Sequence, residues 1–367
     1  MRSLLWLSLG MALVMSSRMA VGQEEQAPAQ TQFGDTVQDG WLFSDQLTGR
    51  SGEAFGAQLR AGVLTGPGIG RDVSIFPVEI MPYAFAGKGM FFGDIRGFRA
   101  NSDQWGANVG GGFRYHSEQL DRIFGANAYF DYDNSSGALF RQVGFGLETL
   151  GELWDMRANV YLPHGVTDRL ISINFVPGSE HFVGHQILFD QVRVIGSALT
   201  GLDMELVTPL PGRVMQRHDV RVAGGWYHYQ GQELDGFAGW KARIQGNLLP
   251  SVQMQLEVAN DHIFNTTVVF GATWTYGGYR QPETERRSQF SRMTEAVRRN
   301  YNLVVAKTSV LDPDQVAINP LTGDPYFVEH VASYAPIPGA DGTFEHPWQT
   351  VNQAQTDPAF APSIAAA

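Results

Sequence analysis

Ile123–Asp133 reads IFGANAYFDYD, and its parity decides the fold. Phe124, Ala126, Ala128, Phe130 and Tyr132 fall on one parity, and Ile123, Gly125, Asn127, Tyr129, Asp131 and Asp133 on the other. A two-residue period is a β-strand with one apolar and one mostly polar face. The pattern recurs along the chain, and the charges keep to one parity. A closed antiparallel barrel explains this, with its apolar face turned to lipid and its polar face to a lumen.

Working outward, twelve segments alternate. They are Ala54–Val63, Phe76–Ala86, Met90–Arg99, Trp105–His116, the Ile123 strand, Gln142–Thr149, Leu153–Leu162, Leu202–Thr208, Asp219–Tyr229, Gly236–Gly246, Ser251–Ala259 and Thr266–Tyr276. Pro77 and Pro82 weaken the second, because proline removes a ladder donor. Arg60, Asp94, Arg96, Arg114, Asp131, Glu148, Asp155, Arg157, Asp203, Glu205, Arg221, Lys241, Arg243 and Glu257 all take the inner parity. An Arg or Lys on the lipid face near midplane costs about 2–4 kcal/mol, which accounts for the segregation. The interval from Pro163 to Gly201 holds His185–Ala198, whose alternation is poor, and is expected to be an external or pore-entering loop with local β structure. Connections after even-numbered strands are mostly short and those after odd-numbered strands longer. That asymmetry places the N-terminus on the periplasmic side.

Composition agrees. Of 367 residues, 17% are charged, below the quarter usual in soluble domains, while glycine (42) and aromatics (12%) are abundant. Met1–Gly22 has the charge, the apolar run and the small residues of a signal peptide, and residues 23–51 read as a periplasmic lead-in. The chain has no cysteine, so an exported fold needs no disulfide. A net charge of −11 argues against nucleic acid as a partner.

Chemistry is sparse. The pairs Asp131/Asp133 and Asp203/Glu205 have acid–base spacing, but inside a barrel such carboxylates serve as partners for arginines. Glu180, His181 and His185 have a helical metal spacing in a loop without a helix. The glycine-rich residues 66–70 precede no helix that would bind phosphate. The expectation is no enzyme, no cofactor and no metal.

GANAYFDYD followed by RQVGFGLETLGELWDMRANVYLP resembles the inverse autotransporter β-domain, the barrel of intimin and invasin. The matching positions are Gly144, Gly146 and Glu148 on one strand and Ala158, Asn159, Tyr161 and Pro163 on the next. The resemblance runs from about Gly52 to Val305. It implies twelve strands, a linker that returns through the pore and a C-terminal passenger at the cell surface. The long interval before residue 202 departs from the family, and the tail lacks visible immunoglobulin-like repeats. Gly271, Trp274 and Tyr276 on the last strand resemble a signal for the outer-membrane assembly machinery; the other reading is an ordinary strand with interface aromatics.

After the barrel (52–278), Arg280, Arg286, Arg287, Arg292, Arg298 and Arg299 crowd residues 279–302, with Met293, Val297 and Tyr301 as a possible helical stripe. Such a run is a solvated basic helix or, as the resemblance implies, a pore linker whose arginines meet the lumen carboxylates. Residues 303–367 would begin the passenger, with an extended stretch at Asn302–Val310, a short strand at Tyr326–Val331 and a short helix near Thr350–Ala354. GADGTFEHPWQTVNQA resembles the opening of right-handed parallel β-helix domains. The expected role is an outer-membrane anchor and translocator that displays a passenger, possible adhesion included. Its partners would be membrane lipid, the assembly machinery and a surface ligand of the passenger. The rivals are a porin-like channel and a soluble secreted all-β binding protein.

Overall fold

The computed structural model describes residues 55–100, 104–232, 234–277, 289–333 and 338–358. The signal peptide, the lead-in and the linker arginines Arg280, Arg286 and Arg287 lie outside the described residues.

Strands β1 (Phe55–Thr65), β2 (Ile75–Ala86), β3 (Gly89–Ala100), β4 (Trp105–Ser117), β5 (Arg122–Asp133), β6 (Phe140–Leu150) and β7 (Asp155–Pro163) pair in turn, each antiparallel to the next. Three further strands follow in a connecting segment: β8 (Asp168–Phe175), β9 (His181–Val183) and β10 (Gln186–Ala198). The wall resumes with β11 (Thr200–Pro209), β12 (Arg221–Gln230), β13 (Phe237–Leu249), β14 (Val252–Asp261) and β15 (Asn265–Gly277), β11 pairing directly with β7. β15 pairs with β1, Leu59 opposite Tyr276 and Val63 opposite Ala272. Among the described residues, twelve strands thus form a closed transmembrane barrel, as the parity predicts. Closure leaves no sheet edge in the hydrocarbon, where an unpaired backbone group costs several kcal/mol.

The wall alternates residue by residue. Along β6, Phe145 and Leu147 point out, 51% and 67% exposed, while Gln142 and Glu148 are buried. Val78, Ile80, Phe91, Ile95, Val109 and Val268 join the same outer apolar surface. An exposed apolar belt around an enclosed charged interior is the reverse of a soluble sandwich. β2 runs through both of its prolines. Its register with β3 passes from Ile80↔Ile95 to Tyr83↔Phe92 and omits Met81 and Pro82.

Connections at one end are short, as at residues 87–88, 118–121 and 151–154; those at the other include residues 66–74, 134–139 and 164–199. At the short-turn end, α1 (Arg213–Arg217) links β11 to β12.

Two expectations on the C-terminal side need correction. Residues 289–302 form no helical stripe. A 3-10 helix covers Gln289–Thr294, and the chain then runs without helix to Leu303. Tyr326–Val331 is not a strand; only Val331 forms a bridge, parallel, to Trp348. Strand structure begins at Val305 and continues as β16 (Val305–Val316), which pairs with β10, while β10 pairs with β8 on its other side. α2 (Val351–Thr356) starts at Thr350, whose side chain closes a capping box with Gln353.

Candidate functional site

The site is the lumen and the segment 289–304 that fills it. The floor lies at the short-turn end. There Met81, Phe85, Met90, Ile123 and Leu150 turn inward and enclose Met293 and Val297. Phe290 stacks on Phe85 at 5.2 Å and meets His116 edge-on at 5.7 Å. The inner face here is apolar, which the charge-based reading of parity did not anticipate.

Above the floor, wall arginines hold the linker by its backbone. Arg60 Nη2 donates to the Thr294 carbonyl at 2.8 Å. Arg114 Nη1 donates to the carbonyls of Met293 and Glu295, both at 2.6 Å. Arg96 Nη2 donates to the Val297 carbonyl at 2.9 Å. Asn159 and Asn108 do the same for Arg298 (3.1 Å) and Tyr301 (3.0 Å). Each arginine is also fixed by a wall carboxylate: Arg60 by Glu79, Arg96 by Asp94 (2.6 Å) and Arg114 by Glu148 (2.6 Å). These donors explain the missing helix. The carbonyls that a helix would satisfy internally are taken by the wall.

Linker arginines answer with their side chains. Arg292 forks onto Asp155, Nη1 to Oδ1 at 2.9 Å and Nη2 to Oδ2 at 2.6 Å, and also bonds Glu295. Arg299 forks onto Asp131 at 2.6 and 2.5 Å, under the faces of Tyr129 (4.4 Å) and Tyr161 (5.6 Å). Two parallel charge-assisted bonds give geometric specificity as well as energy. Gly144 makes room for the second fork: a Cβ there would lie 2.6 Å from Arg299 Nη2. Among the described residues, Arg298 meets no carboxylate at hydrogen-bond distance. It goes to the amide oxygens of Gln245, Gln253 and Gln255.

The remaining sequence-predicted charges line the same enclosed space. Arg157 sits among Asp155 (3.6 Å), Glu205 (3.8 Å), Glu148 (3.9 Å) and the linker's Glu295 (3.5 Å). Asp203 accepts from Tyr161 at 2.7 Å, Asn159 at 3.2 Å and Lys241 at 3.3 Å. Arg243 bonds Glu205 at 2.5 Å and lies 4.0 Å from Glu257; Arg221 bonds Asp155 at 3.0 Å. A cavity of about 100 Å³ remains beside the linker, lined by Lys241, Glu257 and Arg298 among others. On β15, Gly271 faces in, while Trp274 and Tyr276 face out and stack at 5.9 Å.

At the long-loop end, Asp133 accepts the Leu303 N–H at 2.7 Å, and Asn302 donates to the Ile69 carbonyl at 3.1 Å. Ile69, Leu199, Tyr229, Phe237 and Val304 close an apolar lid. Residues 295–304 form neither helix nor strand and bend at Arg299, Tyr301 and Asn302; ten residues can span at most about 33–36 Å. Arg71, in the connection between β1 and β2, is pushed down to about 10 by burial, against the pull of Glu257 and Asp133.

Charge alone did not mark Asn108, the three glutamines or Tyr229, although all sit on the inner parity; Asn159 and Tyr161 entered through the resemblance and Tyr129 through its parity. Arg71 carries no strand parity and left no signal. Neither candidate acid pair is free: Asp131 holds Arg299 and Asp133 the linker backbone, while Asp203 accepts from Tyr161 and Lys241 and Glu205 pairs with Arg243. His181 faces Asp314 at 3.3 Å and His185 stacks on Phe327, so they do not converge. Among the described residues no group of three His, Cys, Asp or Glu is placed to hold a metal.

Residues 78–173 match the family model described as inverse autotransporter, beta-domain. No curated protein matches the chain. A solved structure from a study of in-meso crystallisation of membrane proteins aligns at TM-score 0.51 and 14% identity, over 68% of this chain and all of that one. The KdgM porin aligns at 0.36 and 8%, over 60% of this chain and 99% of the porin. The β domain of the Bordetella autotransporter BrkA aligns at 0.29 and 15%, over 61% and 99%. The resemblance to the inverse autotransporter β-domain therefore holds over residues 78–173, in a closed barrel of the outer-membrane type.

Proposed function

We propose that the barrel exports the chain beyond Asn302 and displays it at the cell surface, with residues 289–304 left in the pore as tether and seal. The observation that carries this is the course of the linker, from the short-turn end to the long-loop end with its carbonyls held by Arg60, Arg96 and Arg114. Donors aimed at backbone oxygens recognise any sequence, so they suit a passing chain. The forks of Arg292 and Arg299 depend on sequence and stop it in one register.

In this reading the N-terminus is periplasmic, residues 303–367 begin the passenger, and any binding belongs to that passenger, not to the lumen. The wall carboxylates serve as arginine partners rather than acid–base groups. Gly271, Trp274 and Tyr276 would present the last strand to the assembly machinery. The test is protease shaving of intact cells carrying a tag after Ala367. Loss of the tag with the barrel retained supports display; a tag cut only after permeabilisation refutes it. A porin-like channel is the second reading. It requires the purified barrel to conduct equally with and without residues 289–304.

A further inference from the structure

The segment between β7 and β11 does more than join two strands. The chain leaving the pore is caught at once: Leu199 N donates to the Val304 carbonyl at 2.9 Å. β16 then adds along β10, Val305 opposite Ala198, Val310 opposite Arg193 and Val316 opposite Leu188. β10 is held from behind by β8, with Val194 opposite Ser172 and Gln191 opposite Phe175. Arg193 bonds Asp312 at 2.9 Å across the new pairing. Without β16, β10 would present a bare edge of backbone donors and acceptors, which is the surface that an extended chain adds to.

The tip of the same segment, residues 181–185, holds chain further on. Val328 N donates to the His185 carbonyl at 2.8 Å, and Phe344 N to the Gly184 carbonyl at 2.9 Å. Gly184 N donates to the Glu345 carboxylate at 3.0 Å. The His185 ring stacks on Phe327 at 4.4 Å, and Phe182 lies against Phe344 at 5.7 Å and His330 at 4.7 Å. Residues 327–330 and 344–345 are thereby brought to one spot. Beside it, Val331 and Trp348 form a parallel bridge, and Trp348 Nε1 donates to Glu329 at 2.6 Å. A domain built from stacked units cannot bury the outer face of its first unit, and that face requires a cap.

Resting on the display reading above, we propose that residues 164–199 are a folding template and N-terminal cap for the displayed domain. β10 offers an edge on which Val305–Val316 adds as it emerges, and the 181–185 tip then seats the first turn of chain behind it. The partner is thus a defined part of this same protein, residues 305–333 and 338–345. Folding outside the cell would begin against a strand the barrel already holds in place, which removes the cost of nucleating the first strand alone.

The test uses full-length protein in the outer membrane with a tag after Ala367. One variant is Val192→Pro/Val194→Pro, which interrupts β10. The other is Phe182→Ala/His185→Ala, which strips the tip of its rings and leaves the backbone ladder. Heat-modifiable migration reports the barrel, and the rate of protease cutting within residues 305–358 on intact cells reports the cap. Both variants are expected to keep a folded barrel and an accessible tag, and to be cut at least tenfold faster than wild type. Cutting at the wild-type rate in both variants overturns the cap while leaving display intact. A wild-type tag reached only after permeabilisation overturns display, and the cap with it.

Discussion

Arg299→Ala tests the seal at the most buried of the described ion pairs between linker and wall. Arg299 and Asp131 are 2% and 1% exposed, and their fork is closed over by Tyr129 and Tyr161. Among the described residues, removing the arginine leaves Asp131 with Asn108 and Gln142, each at 2.8 Å. Breaking a buried pair by deleting one partner costs about 3–5 kcal/mol, because the other charge stays desolvated. At about 1.4 kcal/mol per decade, the ratio of filled to vacated pore falls by about 10² to 4 × 10³. Single-channel recording of the purified barrel reads this directly, and openings should become at least about a hundredfold more frequent than in wild type. Arg299→Lys keeps the charge without the fork and should lie between them. Arg299→Ala/Asp131→Ala removes the stranded charge as well and should be less leaky than Arg299→Ala alone. The reasoning is refuted if Arg299→Ala, folded by gel migration, opens no more often than wild type, or if the double variant leaks as much as the single.

Three further outcomes follow from the wall and from the exposed segment. Phe145→Arg puts a charge on the lipid face and should lower stability by about 2–4 kcal/mol if β6 crosses the midplane there, read by urea titration of barrel folded into vesicles. Gly110→Val should abolish the heat-modifiable form, since its Cβ would stand 2.4 Å from the Ala128 carbonyl oxygen and the Tyr129 ring; Gly224→Ala, with open space around it, should be tolerated. Burial holds the His330 imidazole below its ordinary range, with His185 acting in the same direction and Glu345 and Glu329 against it. Between that lowered value and about 6.5, the opened form binds more protons than the folded one, so protection of residues 326–333 and 338–348 is full above about pH 6.5 and lost as the pH falls. Protease cutting measured from pH 7.5 to pH 5 should show that loss, and His330→Phe should flatten it.

The chain's alternation determined the barrel. Each wall strand meets lipid on one side and an enclosed space on the other, so its pattern is set locally, residue by residue, and Ile123–Asp133 already carries it. Strand number and the positions of the short turns follow for the same reason. What the linker does was not local. Met293, Val297 and Tyr301 have a helical spacing, yet Arg60, Arg96 and Arg114 come from β1, β3 and β4, and their donors replace the helix's own bonds. The apolar floor was hidden too, because Met81, Met90, Ile123 and Leu150 occupy a parity that elsewhere holds charges.

β10 marks the sharpest division between the two kinds of information. Its residues alternate poorly because neither face looks onto lipid or into the lumen, and its principal partner, β16, lies more than a hundred residues later. Sequence alone determined which side of each wall strand faces lipid, because solvent imposes that choice on every residue separately. Only the tertiary structure decided which arginine meets which oxygen and where the emerging strand docks, because those pairings depend on closure of the barrel bringing distant segments together.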